Sequence, residues 1–137
     1  MNHLFAYGTL MCEEIMTEVC GLKPTSVKAQ IRDYARRAVR GEHYPAIRPF
    51  AGAHVEGIIY VDLPIEAWKR LDNFEGEMYE RKRVEVISED NSILEADTYV
   101  IRPSFQHLLS SKEWDYKNFL RTGKSHFQRL YMGYSEL

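Results

Sequence analysis

The sequence predicts an α+β fold in which a small β-barrel is flanked by helices. Two observations predict it. Extended, alternating segments outnumber helical ones through residue 102, and apolar spacing of three and four residues then takes over. A third bounds the architecture: the 137 residues contain no internal repeat, low-complexity tract or Pro/Gly/Ser-rich linker, so 1–137 reads as a single domain.

His3-Leu4-Phe5-Ala6-Tyr7 reads as a short buried strand ended by Gly8. Residues 13–20 carry acids in their first turn, and Gly21 just past their end is helix punctuation. From Val27 to Val39 the chain is mostly extended, with Val27, Ala29 and Ile31 alternating against Lys28, Gln30 and Arg32. A turn around Gly41-Glu42-His43 leads to Tyr44-Pro45-Ala46-Ile47. The segment Val55–Val61 then gives the strongest strand signal, β-branched and aromatic.

A helix over 64–75 follows. Pro64 suits a first helical position, and Ile65, Trp68 and Leu71 share one face. Gly76 stands where a glycine usually terminates a helix. Tyr79 to Ser88 and Ile93 to Ile101 are two more strands, joined by the polar turn 89–92 and closed by Pro103. The tail is helical, with Trp114, Phe119, Leu120, Phe127, Leu130, Tyr131 and Tyr134 as packing residues.

Composition removes several classes of function. Hydrophobic content of 45% and charged content of 28% belong to a folded globular chain. A formal net charge of −2 supplies no field to recruit nucleic acid or anionic lipid, so no nucleic-acid or membrane partner is expected. The N-terminus shows neither a basic region nor a long apolar run, and cytoplasmic residence is the default expectation. Cys12 and Cys20, at either end of a helix, would stand ~12 Å apart and read as reduced thiols. The five histidines, His3, His43, His54, His107 and His126, lack metal-ligand spacing, so no metal site is expected.

Glu75 is the candidate catalytic group. It occupies the last turn of a helix, where the carbonyl dipoles disfavour a carboxylate, and its neighbours Phe74 and Gly76 leave it partly apolar and approachable. Both influences favour the protonated form and move the group toward proton transfer near neutrality. The plain alternative is an exposed helix-end glutamate. The turn Tyr7-Gly8-Thr9-Leu10, between strand and helix, exposes successive backbone N–H groups suited to a carboxylate or an oxyanion. Its plain alternative is an ordinary strand-to-helix turn. Lys28, Arg32, Arg36, Arg37 and Arg40 read as a solvated basic stretch in a chain of net negative charge.

Three segments together resemble the γ-glutamylcyclotransferase-like family, including its branch named from plant avirulence-induced genes. Phe5-Ala6-Tyr7-Gly8-Thr9-Leu10 is similar to the family's first strand and its Tyr-Gly-Ser/Thr loop. Leu71-Asp72-Asn73-Phe74-Glu75-Gly76, followed by Tyr79-x-Arg81, is similar to the segment carrying its catalytic glutamate. Tyr44-Pro45-Ala46-Ile47 and Gly57-Ile58-Ile59-Tyr60 resemble central strands, and Trp114-Asp115-Tyr116 through Phe127 the tail of the plant-type branch.

The resemblance implies a small mixed β-barrel with a pocket at one end and no cofactor. It implies a small-molecule γ-glutamyl amine or amino acid as substrate, cyclised to 5-oxoproline by Glu75 as general acid/base. It brings Glu75 and the 7–10 loop together across the pocket, with Gly8, Thr9 and Leu10 as donors, Tyr7 as wall, and Tyr79 as substrate contact or packing residue. Met11-Cys12-Glu13-Glu14 departs from the family pattern and is expected to face the leaving group. A non-catalytic metabolite-binding module of the same fold is the alternative.

Overall fold

In the computed structural model the described residues are 2–131. Strand β1 (Asn2–Ala6) leads through a 3₁₀ turn (Thr9–Met11) into helix α1 (Glu13–Cys20). Strands β2 (Ser26–Ala38) and β3 (Pro45–Leu63) form a long hairpin. Helix α2 (Ile65–Glu75) precedes β4 (Tyr79–Ser88) and β5 (Ile93–Ile101). After a 3₁₀ segment (Pro103–Leu108) the described residues continue through α3 (Tyr116–Asn118), a π turn (Phe119–Gly123) and α4 (Lys124–Tyr131).

The five strands close into a barrel in the order β1-β3-β2-β4-β5. Every pairing is antiparallel except the closure, where β1 runs parallel to β5 at Leu4 and Asp97. The barrel is therefore mixed, in agreement with the expected α+β class.

Side-chain alternation on β1 divides the apolar residues into two cores. Phe5 and Tyr7 enter a cluster with Ile31, Ile47, Val55, Ile59, Val86 and Val100, drawn from strands and fills the barrel. Leu4 and Ala6 point the other way, into a cluster with Ile15 and Met16 of α1 and Trp68 and Leu71 of α2. That second layer mounts the helices on the sheet and brings both ends of the site to one side of β1.

The fold departs from the sequence reading in three places. The segments 44–47 and 55–61 are one strand, β3, paired with β2 from Ala38↔Pro45 to Ser26↔Tyr60. Pro49 is tolerated there because β1 reaches only as far as Ile58, leaving that stretch with β2 as its partner. Pro64 is the N-cap of α2 rather than its first residue, and Ile65 is 70% exposed instead of joining the buried face of Ala67, Trp68 and Leu71. In the tail, Trp114 precedes the helix and Leu120 is exposed, whereas Phe119 and Phe127 are buried. Tyr134 lies outside the described residues, as do the side chains of Leu130 and Tyr131.

Candidate active site

A cavity of about 210 Å³ opens beside β1. Its lining includes Tyr7, Gly8, Thr9 and Leu10 from the first turn, Glu75 from the end of α2, and Tyr79 and Tyr99 from β4 and β5. Small volume and a mostly apolar lining with a few polar groups suit a small ligand.

Each feature has a local cause. The 3₁₀ turn closes with Met11 N–H donating to Gly8 O at 2.9 Å and Cys12 N–H to Thr9 O at 3.1 Å. The amides at its beginning have no earlier turn to donate to. Gly8 packs on Pro45: a Cβ added there would stand 2.8 Å from Cγ and 2.9 Å from Cδ of the proline ring. The loop runs through a 3₁₀ turn before the helix begins, with Cys12 as N-cap. Arg36 donates from Nη1 to Tyr7 O at 2.7 Å and to Glu56 O at 3.2 Å. It is therefore a partly buried bracing residue, not a member of a solvated basic stretch. That function was hidden in the sequence because Arg36 belongs to a charged run on an alternating strand.

Glu75 ends α2. Gly76 then turns the chain with φ +74° while its N–H donates to Asp72 O at 3.1 Å. The residue is half-buried and lines the cavity. Burial, with the charge of Asp72 second, pushes Glu75 up to about 8. Asp72 sits one helical turn back, accepting from Tyr99 Oη at 2.7 Å and lying 3.6 Å from Arg81 Nη1. Arg81 also covers the Trp68 ring at 4.7 Å, so the Tyr79-x-Arg81 segment places one residue in the cavity and braces Asp72 with the other.

The tyrosines around the cavity are structural donors. Tyr7 Oη donates to Tyr99 O at 2.6 Å, Tyr79 Oη to Pro45 O at 2.8 Å, and Tyr60 Oη to Leu10 O at 2.6 Å. Burial first and Glu75 among the further causes hold the Tyr7 and Tyr79 phenols well above their usual range. They stay neutral. Sequence reasoning missed Tyr99, Tyr44, Met78 and Phe127 as lining residues. Their positions in strand, turn and helix patterns signalled packing, and nothing local signals a shared cavity.

Glu13 and Glu14 do not line the cavity, contrary to expectation. Glu14 accepts from Lys124 Nζ at 2.6 Å and Gln128 Nε2 at 3.2 Å, and Glu13 stands 3.9 Å from Lys23 Nζ. These contacts draw them toward α4 and the end of α1. Cys12 and Cys20 are buried free thiols, and burial pushes Cys20 up to about 11. Among the described residues no group of three or more His, Cys, Asp or Glu side chains is arranged to hold a metal ion. No helix among them is long and apolar enough to cross a membrane.

Comparison with known proteins gives this geometry a context. Residues 4–116 match the family model described as "Gamma-glutamyl cyclotransferase, AIG2-like". AIG2-like protein D of Arabidopsis thaliana is 29% identical, over 100% of this chain and 96% of that one. An Arabidopsis thaliana protein with a known solution structure superposes with a TM-score of 0.72 at 25% identity, covering 94% of this chain and 87% of its own. A structure titled "Gamma-glutamyl cyclotransferase" superposes with a TM-score of 0.65 at 18% identity, covering 74% and 66%, a likeness of fold.

Proposed function

Because the chain belongs to the γ-glutamyl cyclotransferase, AIG2-like family, we propose that it cyclises a small γ-glutamyl amine or amino acid to 5-oxoproline, releasing the free amine. One observation carries this reading: the Glu75 carboxyl and the Gly8–Leu10 turn line the same small cavity.

The reaction joins the substrate's α-nitrogen to its own γ-carbonyl carbon. Such a ring closure needs a folded substrate, and alignment of reacting groups reaches effective molarities up to ~10⁵–10⁸ M. A carboxyl group titrating near 8 is present in both forms around neutrality, which suits a group that must take and return a proton. Glu75 removes one proton from the α-ammonium. The amine attacks the γ-carbonyl, the new C–N bond forms and the oxygen becomes an oxyanion. Glu75 passes its proton to the departing nitrogen, and the old C–N bond breaks as the carbonyl re-forms. The ring nitrogen then sheds its extra proton, which the released amine takes up.

The amides of Gly8, Thr9 and Leu10 are suited to the substrate α-carboxylate or the oxyanion, and Tyr7 and Tyr79 to walling the pocket. No step calls for a cofactor. The test is release of 5-oxoproline from a panel of γ-glutamyl compounds, followed by mass spectrometry. Wild type is expected to release it and a folded Glu75→Gln variant to be inactive. Undiminished turnover by the glutamine variant would sink the mechanism.

A further inference from the structure

We propose that the amine leaving this site is apolar and free of a carboxylate, and that Phe127, with Tyr44 and Phe74, forms the wall that receives it. This inference rests on the cyclotransferase reading and extends it to the leaving group.

The γ-glutamyl half of the substrate must reach Glu75 and the Gly8–Leu10 turn, because the reacting atoms lie there. The leaving group is left with the other lining residues. These include Tyr44, Phe74, Met78 and Phe127. The three aromatic rings form a connected edge-to-face set: Phe127 is 6.0 Å from Phe74 and 6.3 Å from Tyr44, centroid to centroid. Behind them Phe119 stands 5.9 Å from Phe127, so the wall is backed by packed core. Aromatic surface of this kind favours an apolar or aromatic partner.

Charge points the same way. The charged residues among the described lining are Glu75 and Glu77, both acidic. The cations that touch lining residues are engaged: Arg36 donates to Tyr7 O, and Arg102 donates to Glu77 O and stands 3.9 Å from Glu80 Oε1. A carboxylate on the leaving amine would enter a mostly apolar site beside like charge, with no cation among the described lining residues. An α-amino acid carries that carboxylate; a simple amine does not. Phe127 comes from α4, beyond residue 116, where the match to the family model ends. Of the three wall residues, Phe127 thus comes from a part of the chain that the family model does not match.

The deciding substrates are γ-glutamylphenethylamide and γ-glutamylphenylalanine, which share one skeleton and differ by a single carboxylate. The phenethylamide is expected to have a kcat/KM at least about tenfold higher, and Phe127→Leu, folded but melting lower because this side chain is buried core, to shrink that ratio. Should the leucine variant fail to fold, the wild-type ratio alone decides. Equal or better turnover of γ-glutamylphenylalanine overturns this inference and leaves the cyclotransferase reading intact. Faster turnover of the γ-glutamyl amide of 1,5-diaminopentane than of the phenethylamide also overturns it, because acidic residues rather than the aromatic wall would then select. If none of these compounds is cyclised, calorimetric binding to the wild-type protein still decides. Tighter binding of the phenethylamide supports the wall and sinks the reaction; equal binding, or none, sinks both.

Discussion

The phenol of Tyr99, on a barrel strand, donates to Asp72 Oδ1 at 2.7 Å and so holds a carboxylate one helical turn before Glu75. Arg81 flanks the same carboxylate at 3.6 Å. The barrel thereby fixes a negative charge near the candidate acid, and that charge is the second cause, after burial, of its raised pKa. Replacing Asp72 with Asn keeps an acceptor for Tyr99 and removes the charge. The acid limb of the kcat/KM profile, set by ionisation of Glu75, is expected to move down by roughly half to one pH unit. A limb that stays in place would show that Asp72 has no electrostatic effect on the reaction.

Glu75 also couples stability to pH. Its folded pKa, about 8, lies above its value in an unfolded chain, so the folded state holds the proton more tightly. The stability contributed by this protonated carboxyl is complete below the unfolded pKa and is lost as pH rises through about 8. Over that interval wild type should lose roughly 2–5 kcal/mol relative to Glu75→Gln. Denaturant melts of both proteins at pH 5, 7 and 9 measure it, and parallel curves would refute the burial of this group.

Arg36 braces Tyr7 O at 2.7 Å. In a trans peptide the carbonyl and the following N–H point in opposite directions, so fixing Tyr7 O also fixes the direction of the Gly8 amide. Described residues include no cis bond. Arg36→Met is expected to lower kcat about tenfold or more while KM changes little, with Arg36→Lys recovering part of the loss. A fall in melting temperature with unchanged kcat would make Arg36 a folding residue only.

Gly8→Ala puts a methyl group 2.8 Å from the Pro45 ring. Either the loop or the start of β3 must shift, at a cost of about 1–3 kcal/mol. Activity is expected to fall by roughly 10²-fold, since an oxyanion donor displaced by an ångström is largely lost. Steady-state kinetics and a thermal melt on the same sample check both halves.

Tyr79→Phe strips the buried donor from Pro45 O. Destabilisation of about 1–3 kcal/mol is expected. If the hydroxyl serves only to hold Pro45 beneath Gly8, turnover should fall less than tenfold, whereas a loss as complete as that of Glu75→Gln would assign it a direct role in the chemistry.

Much of this architecture was written locally. Alternation located β2, since a half-buried strand repeats every two residues, and the polar turn 89–92 separated β4 from β5. Gly21 and Gly76 marked where α1 and α2 stop, because each takes a positive φ there. Helix-end placement of Glu75 was equally legible, and with it the expectation of a perturbed acid. Ile65 was misjudged because helical spacing names a face without saying how far the neighbouring layer extends. The strand β3 runs unbroken through Arg48-Pro49-Phe50, although a proline locally argues against a strand, because that flank is not paired with β1.

By itself, then, the sequence determined the order of elements, the helix stops and the identity of the candidate acid. Only the closed barrel decided that Glu75 is desolvated, that Arg36 reaches Tyr7 from another strand, and that Phe127 returns from the far end of the chain to wall the same cavity. The reason is physical: turn and helix signals depend on adjacent residues. Desolvation and cavity shape, by contrast, sum over atoms that segments distant in sequence bring together, and no local pattern records that sum.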